Sequence, residues 1–330
     1  MSESLFAGRG ALRRFLDPTK MTFPIVEVPQ PINLYAKERV RIYAVIGCQT
    51  PLLNVKLLPA LNMLLEAEES GRLEGVHTIV EATSGNTGIG LKMVADAFGI
   101  PNVVAYMKMD DPYGKIAPLE FRGVRVEKFT EKTDEPTTIE RARSAGQEPG
   151  WFNPDQYSND ANWRAYEKWL APGIWQSFTG KLTVMCVGLG TGGTAIGLSR
   201  YLKRQSPPPV MIGVICTPGK EGAVPGVRSL ENLAKVSLDS RSALDAEPIE
   251  AGFREHSYAM SRRLWSAVGS PVGPSSGFAL VGLLKYLATV PNFDELRNSD
   301  GEVVAAFVCP DTALPYWDKY TTILDSVDFD

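Results

Sequence analysis

The chain is predicted to fold as an α/β protein of two lobes, each with a mainly parallel sheet flanked by helices. Three observations carry this expectation. Apolar runs of strand length alternate with segments of helical period, the pattern of a sheet built from crossover units. The 330 residues exceed the ~250 at which one core usually stops growing. Small-residue turns follow strand-like runs at residues 81–88 and 187–194, and such folds bind ligands at the carboxyl ends of strands.

The elements follow in order. Residues 1–20 hold Arg9, Arg13 and Arg14 among Leu5, Phe6, Leu12, Phe15 and Leu16, but also Glu3 and Asp17, and read as an N-terminal arm rather than a transit peptide. The clearest unit is a strand at 76–82, a helix at 87–98 and a strand at 102–108, with Gly99 and Pro101 as the stop between the last two. A helix at 115–122, capped by Gly123, and an extended run at 124–129 come next. Residues 130–150 are polar, contain Pro136 and Pro149, and are expected to form a helix flanked by loops at a domain edge. The alternation resumes with a strand at 182–187, a helix at 194–202, a surface connection through Ser206-Pro207-Pro208-Pro209 and a strand at 210–216. Residues 219–250 are turn-rich and unassigned, residues 278–287 read as a helix, and 303–308 as a buried strand. On this reading the smaller lobe spans 47–162, and the larger combines 1–46 with 163–330.

Composition narrows the function. Thirty-four Lys and Arg against 38 Asp and Glu leave a net charge of -4, so no large basic surface is available for a nucleic-acid backbone. No apolar run reaches the ~18 residues of a membrane span. Cys48, Cys186, Cys216 and Cys309 lie far apart without a C-x-x-C pair, as in a reduced cytoplasmic protein. With only His77 and His256, no metal site is expected.

Two turns carry the chemistry. In Val187-Gly188-Leu189-Gly190-Thr191-Gly192-Gly193-Thr194, four glycines let backbone N–H groups converge at a helix N-terminus, which favours a phosphate dianion. The same residues satisfy G-x-G-x-x-G, but a dinucleotide site needs an acid at the end of the next strand. None occurs there before Glu221, so a single phosphate group is preferred. In Glu81-Ala82-Thr83-Ser84-Gly85-Asn86-Thr87-Gly88, hydroxyl and amide residues open a helix and suit a carboxylate. A third segment, Gly273-Pro274-Ser275-Ser276-Gly277, would by itself be only a helix cap.

In this order and spacing, Thr-Ser-Gly-Asn-Thr-Gly, Gly-Thr-Gly-Gly-Thr and Gly-x-Ser-Ser-Gly resemble the pyridoxal-phosphate (PLP) enzymes of the cysteine synthase and cystathionine β-synthase type, related to the tryptophan synthase β chain and known as fold type II. The resemblance runs from about Gln30 to Tyr316 and includes the segments 65–71 and 155–162. The family's Schiff-base lysine lies about 27 residues before the first motif. Lys56, in Asn54-Val55-Lys56-Leu57-Leu58, occupies that place and is the sole lysine between Lys37 and Lys92. The family's Asp-Arg after the lysine is Leu57-Leu58 here. Leu52, Leu53, Val55, Leu57 and Leu58 give Lys56 an apolar setting, which favours its neutral, nucleophilic form.

The resemblance implies that PLP sits in the cleft between the lobes, with Asn86 on its phenolic oxygen, Gly190, Thr191, Gly192, Gly193 and Thr194 on its phosphate, and Ser275 facing the pyridine nitrogen. Thr83, Ser84, Gly85, Thr87 and Gln156 would take the substrate carboxylate, with Gly226 and Arg228 in a loop facing the substrate. A neutral hydroxyl on the ring nitrogen disfavours transamination and favours expulsion of a β-substituent. The implied activity is β-replacement on an activated serine-like amino acid through an aminoacrylate, as a transferase and homodimer with a second nucleophile as co-substrate. A β-eliminating lyase or deaminase and a silent binding protein of the same fold remain as alternatives.

Overall fold

The computed structural model describes residues 5–83, 85–111, 113–130 and 135–324. The strands, in chain order, are β1 (Ile25–Glu27), β2 (Val40–Val45), β3 (Thr78–Ala82), β4 (Asn102–Lys108), β5 (Arg125–Phe129), β6 (Trp151–Phe152), β7 (Val184–Gly188), β8 (Val210–Ile215), β9 (Ile249–Glu250) and β10 (Val303–Val308). The helices used below are α1 (Leu57–Glu69), α2 (Asn86–Phe98), α3 (Tyr113–Phe121), α4 (Thr138–Ala145), α5 (Gly193–Leu202), α6 (Arg254–Val268) and α7 (Pro274–Thr289). The fold is α/β, with two sheets.

The chain divides into two compact units, one containing the described residues of Met1–Met21 with Thr50–Ala165, the other Thr22–Gln49 with the described residues of Tyr166–Asp330. The first has a four-stranded sheet in the order β5-β4-β3-β6, parallel throughout. Every residue of β3 is buried, as expected of a strand covered on both faces. Helix α2 ends at Gly99, whose φ of 75° is left-handed and lets its N–H cap the helix carbonyls. Helix α4 begins with a capping box in which Thr137 and Glu140 satisfy each other's backbone amides.

The second unit has a six-stranded sheet in the order β1-β2-β10-β7-β8-β9. Only the edge pair β1–β2 is antiparallel among these ladders. Its core gathers Ile42, Ala44, Val184, Ile212, Val214, Phe278, Leu283, Ala305 and Phe307, all fully or almost fully buried. Helix α7 has Pro274 in its first turn, where the missing N–H costs nothing. It lies so close to α6 that a Cβ on Gly277 would collide with the Ser257 carbonyl oxygen and the Ser261 backbone.

Three expectations are corrected. Residues 5–21 group with the first unit rather than with the larger lobe. Arg13 donates to Glu68 at 3.0 Å and lies 4.2 Å over the Phe98 ring, and Leu16 is fully buried. Those partners are distant in sequence, so composition could not assign the arm. Thr22–Gln49 joins the second unit because β2 pairs with β10. Residues 130–150 are not a domain edge either, because β6 follows them and pairs with β3. Finally, Ser275, Ser276 and Gly277 lie within the first turn of α7 rather than ahead of the helix.

Candidate active site

Lys56 immediately precedes α1. Asn54 shapes this start: its backbone N–H donates to Thr50 Oγ1 at 3.2 Å, and its own Oδ1 accepts the Lys56 N–H at 2.9 Å. The Lys56 carbonyl accepts from Ala60 N at 3.2 Å. A Cβ on Gly90 would come within 3.1 Å of that carbonyl oxygen, so the absence of a side chain lets α2 approach the backbone of Lys56. The side chain of Lys56 is half-buried, while Leu52, Val55, Leu57 and Leu58 are buried. Leu53 departs from the expected apolar setting: it is 49% exposed in a left-handed turn with φ of 58°.

The turn between β3 and α2 is built around Thr83. Its hydroxyl oxygen accepts the backbone N–H groups of Gly85 at 3.1 Å and Gly88 at 3.3 Å. Gly85 has φ of 135°, which side chains rarely tolerate. Ser84 lies outside the described residues. Asn86 opens α2 and is half-buried. Thr87 donates to Gln156 Oε1 at 2.7 Å, and Gln156 Nε2 donates to the Ala82 carbonyl at 2.9 Å. The Ala82 acceptor fixes which end of the amide carries the nitrogen. Among the described residues, one Nε2 hydrogen of Gln156 is left for a further acceptor. Thus Thr83, Gly85, Thr87 and Gln156 come together within the first unit, although Gln156 is 69 residues beyond Thr87.

In the second unit the glycine loop joins β7 to α5. Gly192 has φ of 90°, and a Cβ there would meet Ser240 Cβ at 2.8 Å. A Cβ on Gly190 would collide with the Gly226 carbonyl oxygen. Thr191 is buried and accepts the Gly193 N–H at 3.4 Å, while Thr194 is half-buried in the first turn of α5. Glycine is therefore required at two positions by the backbone itself, and the loop opens a ten-residue helix. A glycine turn that opens into a helix N-terminus suits a phosphate group.

The segment 224–229 is stitched to this loop. Arg228 N donates to the Leu189 carbonyl at 2.8 Å, and the Arg228 carbonyl accepts from Cys216 N at 2.8 Å. Gly226 is exposed with φ of 83°. Glu231, three residues on from Arg228, pairs with Lys235 at 3.0 Å.

Ser275 is buried and donates to Asp311 Oδ1 at 3.2 Å, and the Tyr316 hydroxyl donates to Asp311 Oδ2 at 2.6 Å. The hydroxyl expected at the ring nitrogen is therefore backed by a buried carboxyl group, which sequence reasoning missed. Its acidic side chain directly after Cys309-Pro310 was the available signal. The four cysteines are free and buried, and burial pushes the Cys48 thiol up to about 12, so none offers a ready thiolate at neutral pH.

Sequence reasoning also missed Glu81, the acid inside β3. It is 1% exposed, and its Oε2 accepts the Gln156 N–H at 3.1 Å. Desolvation, the leading cause, pushes its carboxyl up to about 8. An acid within an otherwise apolar run, Thr-Ile-Val-Glu-Ala, was the signal.

A parallel sheet ending in a small-polar turn, with a glycine cradle in a second sheet, defines a phosphate-cofactor enzyme of the α/β class. The model of the family "Pyridoxal-phosphate dependent enzyme" matches residues 24–295, and the chain belongs to this family. It depends on PLP accordingly. A cysteine synthase of Aquifex aeolicus (strain VF5) is 31% identical over 285 residues, covering 86% of this chain and 85% of that protein. Among solved structures, an O-ureido-L-serine synthase superposes with a TM-score of 0.76 at 26% identity, covering 96% of each chain. An O-acetylserine-dependent cystathionine beta-synthase from Helicobacter pylori gives a TM-score of 0.75 at 26% identity over 92% of this chain and 96% of that one.

Proposed function

We propose that the chain catalyses PLP-dependent β-replacement on an activated serine-like amino acid, exchanging the β-substituent for an incoming nucleophile. The observation that carries the reading is the Thr83 turn with its Thr87–Gln156 pair, a ready carboxylate site at a helix N-terminus. The names of the relatives, cysteine synthase and O-ureido-L-serine synthase, point to the same class of reaction.

The bound cofactor supplies the electron sink for the bond broken at the substrate Cα. The residues of the chain do the rest. Lys56 would hold the cofactor through its amine and, once displaced by the substrate, carry the Cα proton. Asn86 would take the phenolic oxygen, Gly190 to Thr194 the phosphate, and Ser275 the ring nitrogen. Thr83, Ser84, Gly85, Thr87 and Gln156 would orient the carboxylate so that the Cα–H bond is presented to Lys56. Among the described residues no helix is long and apolar enough to cross a membrane. We place the enzyme in the cytoplasm as a homodimer, on the pattern of its buried, unpaired cysteines and on its resemblance to the family.

Mixing the holoenzyme with O-acetyl-L-serine and then with sulfide, thiols or amines tests the reading. A new amino acid should form only when a nucleophile is present. Release of a keto acid and ammonia at the same rate with or without nucleophile would instead establish elimination.

Arg228 adds selectivity. Held by its backbone against the glycine loop, it would direct its guanidinium to an anionic leaving group or nucleophile. Arg228→Ala should raise KM for an anionic substrate such as O-phospho-L-serine by about 1.5–3 kcal/mol, roughly 10- to 150-fold, with little change for O-acetyl-L-serine. Equal effects on both substrates would remove Arg228 from the substrate loop.

A further inference from the structure

We infer that Glu81 is a positioning residue of the carboxylate site, holding the Thr87–Gln156 pair in place through Gln156 and binding a proton whenever an anion occupies that site. The inference rests on the proposed assignment of Thr83, Thr87 and Gln156 to the substrate carboxylate. Its geometric basis is a continuous chain of contacts. Glu81 Oε2 accepts the Gln156 N–H at 3.1 Å, and Gln156 reaches both the Ala82 carbonyl and the Thr87 hydroxyl. Asn162 closes the chain by donating to the Gln156 carbonyl at 2.7 Å. Gln156 is thus fixed at its N–H, its carbonyl and its side chain, and Glu81 supplies the first of these anchors.

Among the described residues the cation acting on Glu81 is Arg143, which is shared with Asp155. Helix α4 brings Arg143, and the segment after β6 brings Asp155, but these two pair with each other at 2.7 Å. Behind desolvation, the Gln156 N–H bond lowers the Glu81 carboxyl, Asp155 raises it, and the Ala82 N–H and Arg143 lower it. Strand β4 places the uncharged Ala105 opposite Glu81. Helix α2 contributes Thr87 to the same chain of contacts. A carboxyl buried in this way holds its proton to about pH 8. An anionic ligand on Thr87 and Gln156 adds negative charge nearby, which raises proton affinity further. By linkage, ligand binding favours the protonated acid and weakens once Glu81 ionises. A glutamate remote from the anion site would show no such coupling.

The holoenzyme is titrated with L-alanine, an amino acid without a β-leaving group, and binding is read from the cofactor absorbance between pH 6.5 and 9.5 in wild type and Glu81→Gln. Contributions common to both proteins cancel in the ratio of dissociation constants, which isolates Glu81. Wild type over variant should rise about tenfold across this range, the equivalent of one unit of coupling. A ratio that stays flat, or a variant uniformly weaker at every pH, overturns the inference. No response to L-alanine in either protein would instead defeat the functional reading.

Urea unfolding provides a readout independent of ligand. The unfolded state releases the Glu81 proton near 4.5 and the folded state near 8, so the contribution is intact below pH 4.5 and is lost as pH rises to about 8. Glu81→Gln should remove that decline, and an unchanged decline counts against a titrating Glu81. If the glutamine variant does not fold, a 13C-labelled glutamate titration of wild type decides: a carboxyl titrating near 8 and moving upward with L-alanine supports the inference, and its absence refutes it.

Discussion

Lys56→Ala is expected to abolish turnover, by at least about 10⁴-fold, and to eliminate covalent attachment of the cofactor. The amine has two tasks in the proposed reaction, attachment and proton transfer at Cα, so no neighbouring group replaces it by halves. The fold should survive. The backbone at this position is held by Asn54 Oδ1 and by the bond from Ala60 N, neither of which uses the lysine side chain. Lys56 stands at the N-cap of α1 and makes no side-chain capping bond, so alanine removes none. Borohydride reduction of wild type followed by peptide mass mapping should place the cofactor on the Lys56 peptide, and the variant should carry none. A label on another lysine would refute the assignment, and a variant that unfolds at markedly lower urea would show that the half-buried side chain also supports the core.

Gly190→Ala is expected to have the next largest effect, and for a different reason. The new Cβ would collide with a backbone atom, the Gly226 carbonyl oxygen, so no side-chain rotation relieves it. Segment 224–229 would have to move, yet Arg228 N is bonded to Leu189 O beside the substituted residue. Overpacking of this kind costs about 1–3 kcal/mol in stability. Because the same shift spreads the N–H groups proposed to hold the phosphate, PLP affinity should fall at least tenfold while Lys56 still reacts. Equilibrium dialysis of PLP alongside urea unfolding separates the two. Loss of stability with unchanged PLP affinity would move the phosphate site away from this loop.

Much of this architecture was legible in the chain. Strand β10, Val-Val-Ala-Ala-Phe-Val, is apolar throughout because both faces of a parallel sheet are covered, and it was found at the expected bounds. The strand–turn–helix around Gly190 was equally plain, since four glycines and two threonines announce a backbone that must bend and approach something closely. Short elements were not legible. The two residues of β6 carry too little periodicity to register, and they become a strand only by pairing with Thr78 and Ile79.

The sequence by itself determined the longer strands and helices, such as β3, β4, β7, β8, β10 and α2, and where the chain turns on glycine, and its motifs resembled those of a PLP enzyme. These are properties of neighbouring residues: hydrophobic period, φ freedom and motif spacing. Only the tertiary structure decided that residues 5–21 pack with the first unit and that Ser275 is backed by Asp311, 36 residues further on. It alone brought Glu81 to the Gln156 amide, across 75 residues. The reason is physical: whether a carboxyl group is solvated or buried depends on what the rest of the fold places around it. In the chain Glu81 is an acid like any other, and in the folded protein desolvation makes it hold its proton to about pH 8.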